Sequence, residues 1–162
     1  MATDQAHCSW VILVSFIISL MLMVIPLPDA IDPARPHFTA LCLIYWSMAL
    51  PQRVGVGFAW LLGLLLDVIL GSLMGMHALS LSIIVFLTLK LHQRIRVYPV
   101  WQQALTILLL IGLNQLIILW VRGVIATQPT SWTYWLASFS SMLIWPLVYG
   151  VMRNVRRRFQ VR

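Results

Sequence analysis

The sequence predicts an all-α membrane protein, a single polytopic domain over residues 1–162 made of a bundle of about six transmembrane helices, with five as the alternative. Three observations predict it. Hydrophobic residues make up 61% of the chain and charged residues 9%, with a mean hydropathy of +0.92. A soluble globular chain is about half apolar and one quarter charged, so a water-soluble domain of this size would lack the polar surface to cover itself. The apolar residues fall in runs near the ~20 residues that a helix needs to cross ~30 Å of hydrocarbon. The charges then gather at the ends of those runs, as four Asp, no Glu, one Lys and ten Arg.

The first run, residues 10–25, ends at Pro26 and Pro28. It lacks a basic start and a small-residue cleavage site, and so reads as a retained span and not a signal peptide. Residues 26–37 form a Pro-rich loop, extended and stiff, because proline removes backbone donors and biases its predecessor away from helix. Residues 38–50 are apolar but span only ~20 Å as a helix. That run starts within the loop, thins the bilayer or is partly re-entrant; six spans follow if it crosses and five if it does not. Residues 54–70 make the third run and residues 71–75, Gly-Ser-Leu-Met-Gly, a tight turn. Residues 76–91 make the fourth, residues 101–121 the fifth and residues 132–152 the sixth, with a basic tail over residues 153–162.

Arg and Lys set the orientation. The tail and the loop after the fourth run carry most of them, so both are expected in the cytoplasm; with six spans the start is then inside and the Pro-rich loop outside, and with five the start is outside. A net charge of +7 could suggest nucleic acid in a soluble protein, but topology accounts for the charges and leaves no basic face. Arg153, Arg156, Arg157 and Arg158 are expected at anionic lipids or a cytoplasmic partner, each cation contributing about 1 kcal/mol near such headgroups. Cys8 and Cys42 lack metal-ligand spacing, and neither a metal nor a cofactor is expected.

Asp67 is the only carboxylate inside a run, at a cost of roughly 2.5–3.5 kcal/mol on insertion scales. Stepping back by four gives Gly63, Ala59 and Gly55, a small-residue stripe on the same face that lets helices approach closely. Asp67 reads as a proton or ion site, or as a hydrogen-bonded anchor of the Gly71 turn; without a second carboxylate or a chain of His, the anchor is preferred. His77 lies within reach across the turn. Asn114 and Gln115, midway in the fifth run, are expected to act as interhelical glue of about 0.6–2 kcal/mol. No nucleophile–base pair, Gly-rich phosphate loop or metal-spaced cluster is present, which disfavours an enzyme.

Arg35-Pro36, the stretch LIYWSMALPQRVGVGFAWLLGLLLDVILGSLMGMHALS over residues 43–80, Trp101-Gln102-Gln103, Trp145-Pro146 and the pattern from Met152-Arg153 to Phe159 together resemble the MreD family of rod shape-determining proteins, its gammaproteobacterial branch most closely. Pro51, Arg53, Gly55, Gly57, Gly63, Asp67, Gly71 and Gly75 match its recurring stretch, without an assigned role. The resemblance implies a non-catalytic inner-membrane component of lateral wall synthesis, associated with the bitopic protein MreC. Through MreC it implies the actin-like MreB, RodA and the elongation transpeptidase. It also implies the six-helix fold of the substrate-binding components of vitamin transporters. Such relatives suggest the alternative of a small-molecule binder, for which the outer-end candidates are Asp67, Ser72, His77, Asp29, Asp32 and Arg35.

Overall fold

The computed structural model describes residues 2–26, 28, 32–125 and 132–159. Among the described residues six α-helices follow one another: α1 Ala2–Val24, α2 Phe38–Ala49, α3 Val56–Leu70, α4 Met76–Val97, α5 Val100–Val124 and α6 Leu136–Arg158. Two short 3-10 turns, Asp32–Ala34 and Trp132–Trp135, precede α2 and α6. Asp29, the loop tip at 126–131 and Arg162 lie outside the described residues, as does the side chain of Cys8. Among the described residues Met76–Val97, Val100–Val124 and Trp132–Arg158 are long and apolar enough to cross a membrane, and Trp10–Val24, Phe38–Ala49 and Val56–Leu70 are shorter apolar segments.

Successive helices run antiparallel. One end of the bundle gathers Met23, His37, Leu70, His77, Ile118 and Ala137 around a cavity; the opposite end gathers Met48, Arg96, Gln103 and Arg153 around another. We call these the hairpin end, after the α3–α4 turn, and the basic end.

Polarity is inverted relative to a soluble bundle. Leu61, Leu65 and Val68 of α3, Leu105, Leu109, Leu116 and Trp120 of α5, and Leu143 and Leu147 of α6 point outward, while Ser15, Thr39, Ser47, Thr88, Asn114 and Gln115 are buried. In hydrocarbon an apolar exterior carries no penalty, and polar side chains are stabilised only where protein covers them.

The short second run is the centre of the molecule. Ten of the twelve residues of α2 are buried, with Leu43, Ile44 and Trp46 at 0% exposure. Helices α1, α4 and α6 pack around it, so its length of ~18 Å need not match the hydrocarbon thickness. Trp46 Nε1 donates to Ser15 Oγ at 2.8 Å, which ties α2 to α1, and the His37 N–H donates to Ser141 Oγ at 3.1 Å, which ties its start to α6.

Three boundaries differ from expectation, the first being the start of α1 at Ala2, eight residues before the apolar run. Helix α4 continues through Arg94 and Arg96, and α6 continues through Arg153, Arg156, Arg157 and Arg158, so the described part of the basic tail is the last turns of a helix. Arg and Lys are good helix formers and complement the negative end of the helix dipole, so a helix need not stop where the apolar run does.

Candidate functional site

Helices α3 and α4 form the most extensive pairing in the bundle. Gly63 makes this possible: a Cβ there would lie 2.3 Å from Ala78 Cα and 2.5 Å from its backbone nitrogen. Ala59, four residues earlier, is fully buried. Gly55 has no such close approach: it is the N-cap of α3, and a Cβ there would meet nothing within 4 Å. The close approach is thus confined to the half of the stripe nearest the turn.

At the hairpin end Asp67 does two jobs at once. Its backbone carbonyl accepts from Ser72 N at 3.0 Å and, with that of Val68, closes α3 against Gly71, whose φ of +60° is a left-handed conformation that favours glycine. Its carboxylate reaches across to the first turn of α4. Oδ2 accepts from the N–H groups of Gly75 at 2.9 Å and Ala78 at 3.4 Å, and Oδ1 from that of His77 at 3.0 Å.

The first N–H groups of a helix have no partner within it, and α4 begins at Gly75, φ +98°, with no side chain of its own to cap it. Asp67 supplies that cap from the neighbouring helix, with a negative group placed where the dipole favours one. Ser72 Oγ donates to Oδ1 at 2.7 Å, and His77 Nδ1 donates to the same oxygen at 2.7 Å. Backbone N–H groups can only donate, so this cradle suits an ionised carboxylate.

Asp67 is 1% exposed and does not line the adjoining cleft of about 370 Å³; Ser72, His77, Asp32, Arg35 and His37 do. Arg35 turns the Pro-rich segment into a cap for α1: its guanidinium donates to the carbonyls of Met23 and Ile25 and pairs with Asp32 at 3.1 Å. His37 Nε2 and Arg35 Nε are buried without a partner. Burial, aided by the nearby His77, pushes the His37 pKa down to about 4. Of the outer-end candidates, Ser72, His77, Asp32 and Arg35 therefore converge, with Asp67 behind them. His37 is an addition for which the sequence carries no signal beyond its place after Arg35-Pro36.

Gln115 is buried and bonded at both ends of its amide. Its Nε2 donates to the Tyr134 carbonyl at 2.8 Å, and its Oε1 accepts from Ser138 Oγ, joining α5 to the start of α6. Asn114 is equally buried, but its Oδ1 has no partner. At the basic end the four arginines divide: Arg153 and Arg156 line a cavity, Arg157 and Arg158 do not, and only Arg156 is partly buried.

The family model of the rod shape-determining protein MreD matches residues 5–155. The chain is 35% identical over 150 residues to the rod shape-determining protein MreD of Haemophilus influenzae, covering 93% of each chain. No solved structure matches it.

Proposed function

Since the chain belongs to the MreD family of rod shape-determining proteins, we propose that it is a non-catalytic inner-membrane component of the machinery that elongates the lateral wall, with MreC as its direct partner. Through MreC it joins MreB, RodA and the elongation transpeptidase in peptidoglycan synthesis. All six helices cross the bilayer in this reading, α2 within the protein interior, with the hairpin end outside and the C-terminus in the cytoplasm. Basic residues in the last turns of α4 and α6 support that orientation.

The observation that carries the non-catalytic reading is the state of Asp67. Its buried carboxylate accepts from Ser72 Oγ, His77 Nδ1 and the N–H groups of Gly75 and His77, an arrangement that suits an anchor and not a transfer site. A bundle with an apolar exterior and a capped, stiffened loop can hold the single transmembrane helix of a bitopic partner. Depleting the protein in its host tests the reading: rod-shaped cells become round and the intact gene restores them, with MreC co-purifying. Cells that keep their shape would overturn it.

One observation favours a second reading, a small-molecule binder of the vitamin-transporter type: the cleft at the hairpin end brings Arg35, His37, Ser72 and His77 together around about 370 Å³. Concave sites with a few convergent polar groups are the usual form of ligand pockets. A stoichiometric small ligand in native mass spectra of the purified protein would support this reading, and its absence would leave the assembly role alone.

A further inference from the structure

The cavity at the basic end, about 450 Å³, lies between α2, α4, α5 and α6. Arg96 from the last turn of α4 and Arg153 and Arg156 from α6 converge on it, with Tyr45, Tyr149 and Gln103. Among the described residues no carboxylate lines it. Arginines at the end of a transmembrane helix ordinarily stand in water as topology anchors. These three, with Arg96 and Arg153 exposed and Arg156 partly buried, also come from two helices onto one concavity, where an entering anion would relieve their mutual repulsion.

The rest of the lining selects among anions. Gln103 is 2% exposed, and its Nε2 donates to the carbonyls of Ile95 at 3.2 Å and Tyr98 at 3.1 Å, which fixes the amide. Its Oε1 is then buried with no donor. The Arg156 guanidinium hydrogen-bonds to the Tyr45 hydroxyl, whose ring packs edge-on against Tyr149 at 5.9 Å. The site therefore offers planar guanidinium forks, which match phosphate oxygens, and beside them an acceptor that needs a hydroxyl or ammonium donor. A phosphodiester with a donor-bearing headgroup has both features.

We propose that this cavity binds the phosphate of an anionic phospholipid headgroup, phosphatidylglycerol being the simplest that carries hydroxyls beside a phosphate. The cavity is large enough for the headgroup, and it sits at the ends of the helices, where headgroups lie. The proposal goes beyond the role in cell shape and stands on these side chains alone.

Native mass spectrometry of the full chain, exchanged against mixed vesicles of phosphatidylglycerol and phosphatidylcholine in equal amounts, tests it. The wild type is expected to retain a single phosphatidylglycerol with roughly tenfold preference, and the R153Q/R156Q variant to lose most of that preference. The R157Q/R158Q variant removes the same charge from the same helix turn and is expected to retain it. R96Q, at the exposed end of α4, is expected to weaken retention and gives a second variant should the first not fold. No preference in the wild type, or equal loss in the two double variants, would overturn the site in favour of diffuse surface charge. Displacement of the lipid by excess inorganic phosphate would support the phosphate site and reject lipid as its source.

Discussion

Asp67 carries two helix ends on one side chain, so its replacement reports on both. Asp67→Asn keeps the shape but turns an amide donor toward N–H groups that also donate. A destabilisation of about 2–4 kcal/mol is expected, against about 1 kcal/mol for Ser72→Ala, which removes one neutral donor. Thermal unfolding of the detergent-solubilised protein measures both, and equal effects would show that the carboxylate is not the hub. His37 gives a pH signature. Its folded pKa of about 4 lies below the ordinary 6.5, so the unfolded chain takes up the proton first as pH falls. Stability is expected to hold above pH 6.5 and to decline between about 6.5 and 4. His37→Gln is expected to flatten that part of the curve of melting temperature against pH.

At the scale of elements, the α3–α4 hairpin depends on the absence of one carbon. A Cβ at Gly63 would overlap the backbone of His77 and Ala78, and backbone cannot move aside as a flexible side chain can. Gly63→Ala is expected to cost about 1–3 kcal/mol and Gly63→Leu more, with loss of fold or of partner binding. Gly57, on the same helix but with nothing near a Cβ position, is the control: Gly57→Ala is expected to be neutral or stabilising by up to about 1 kcal/mol. Urea or thermal unfolding compares them, and similar losses at both positions would mean that helix propensity and not contact decides. Spacing places Gly55 and Gly63 on one face, but it cannot tell that the backbone of α4 comes close beside Gly63 and that nothing meets a Cβ position at Gly55.

At the scale of the whole molecule, the two ends are electrically different. Arg94, Arg96 and the α6 arginines mark one end, and the Asp67 hairpin marks the other. A C-terminal fusion to a phosphatase that is active only outside the cytoplasm is therefore expected to be inactive, and a fluorescent fusion at the same place bright. The opposite pattern would invert the topology and remove lipid headgroups of the cytoplasmic leaflet as candidates for the basic cavity.

Hydropathy, charge placement and the Gly71–Gly75 turn are local properties, written along the chain with no reference to distant residues. They were enough for an all-helical membrane protein, for the approximate helix limits and for the meeting of Asp67 with His77 across a short turn. The central place of α2 was not legible, because a short apolar run looks the same whether lipid or protein covers it. Nor was the division of the arginines into Arg153 and Arg156 around a cavity and Arg157 and Arg158 outside it. His37 meets Ser141 more than one hundred positions away, and Gln103 stands beside Arg153 only because α5 and α6 run antiparallel. Such contacts follow from which helix packs against which, a choice made by the shapes of whole faces and not by any residue's neighbours in sequence.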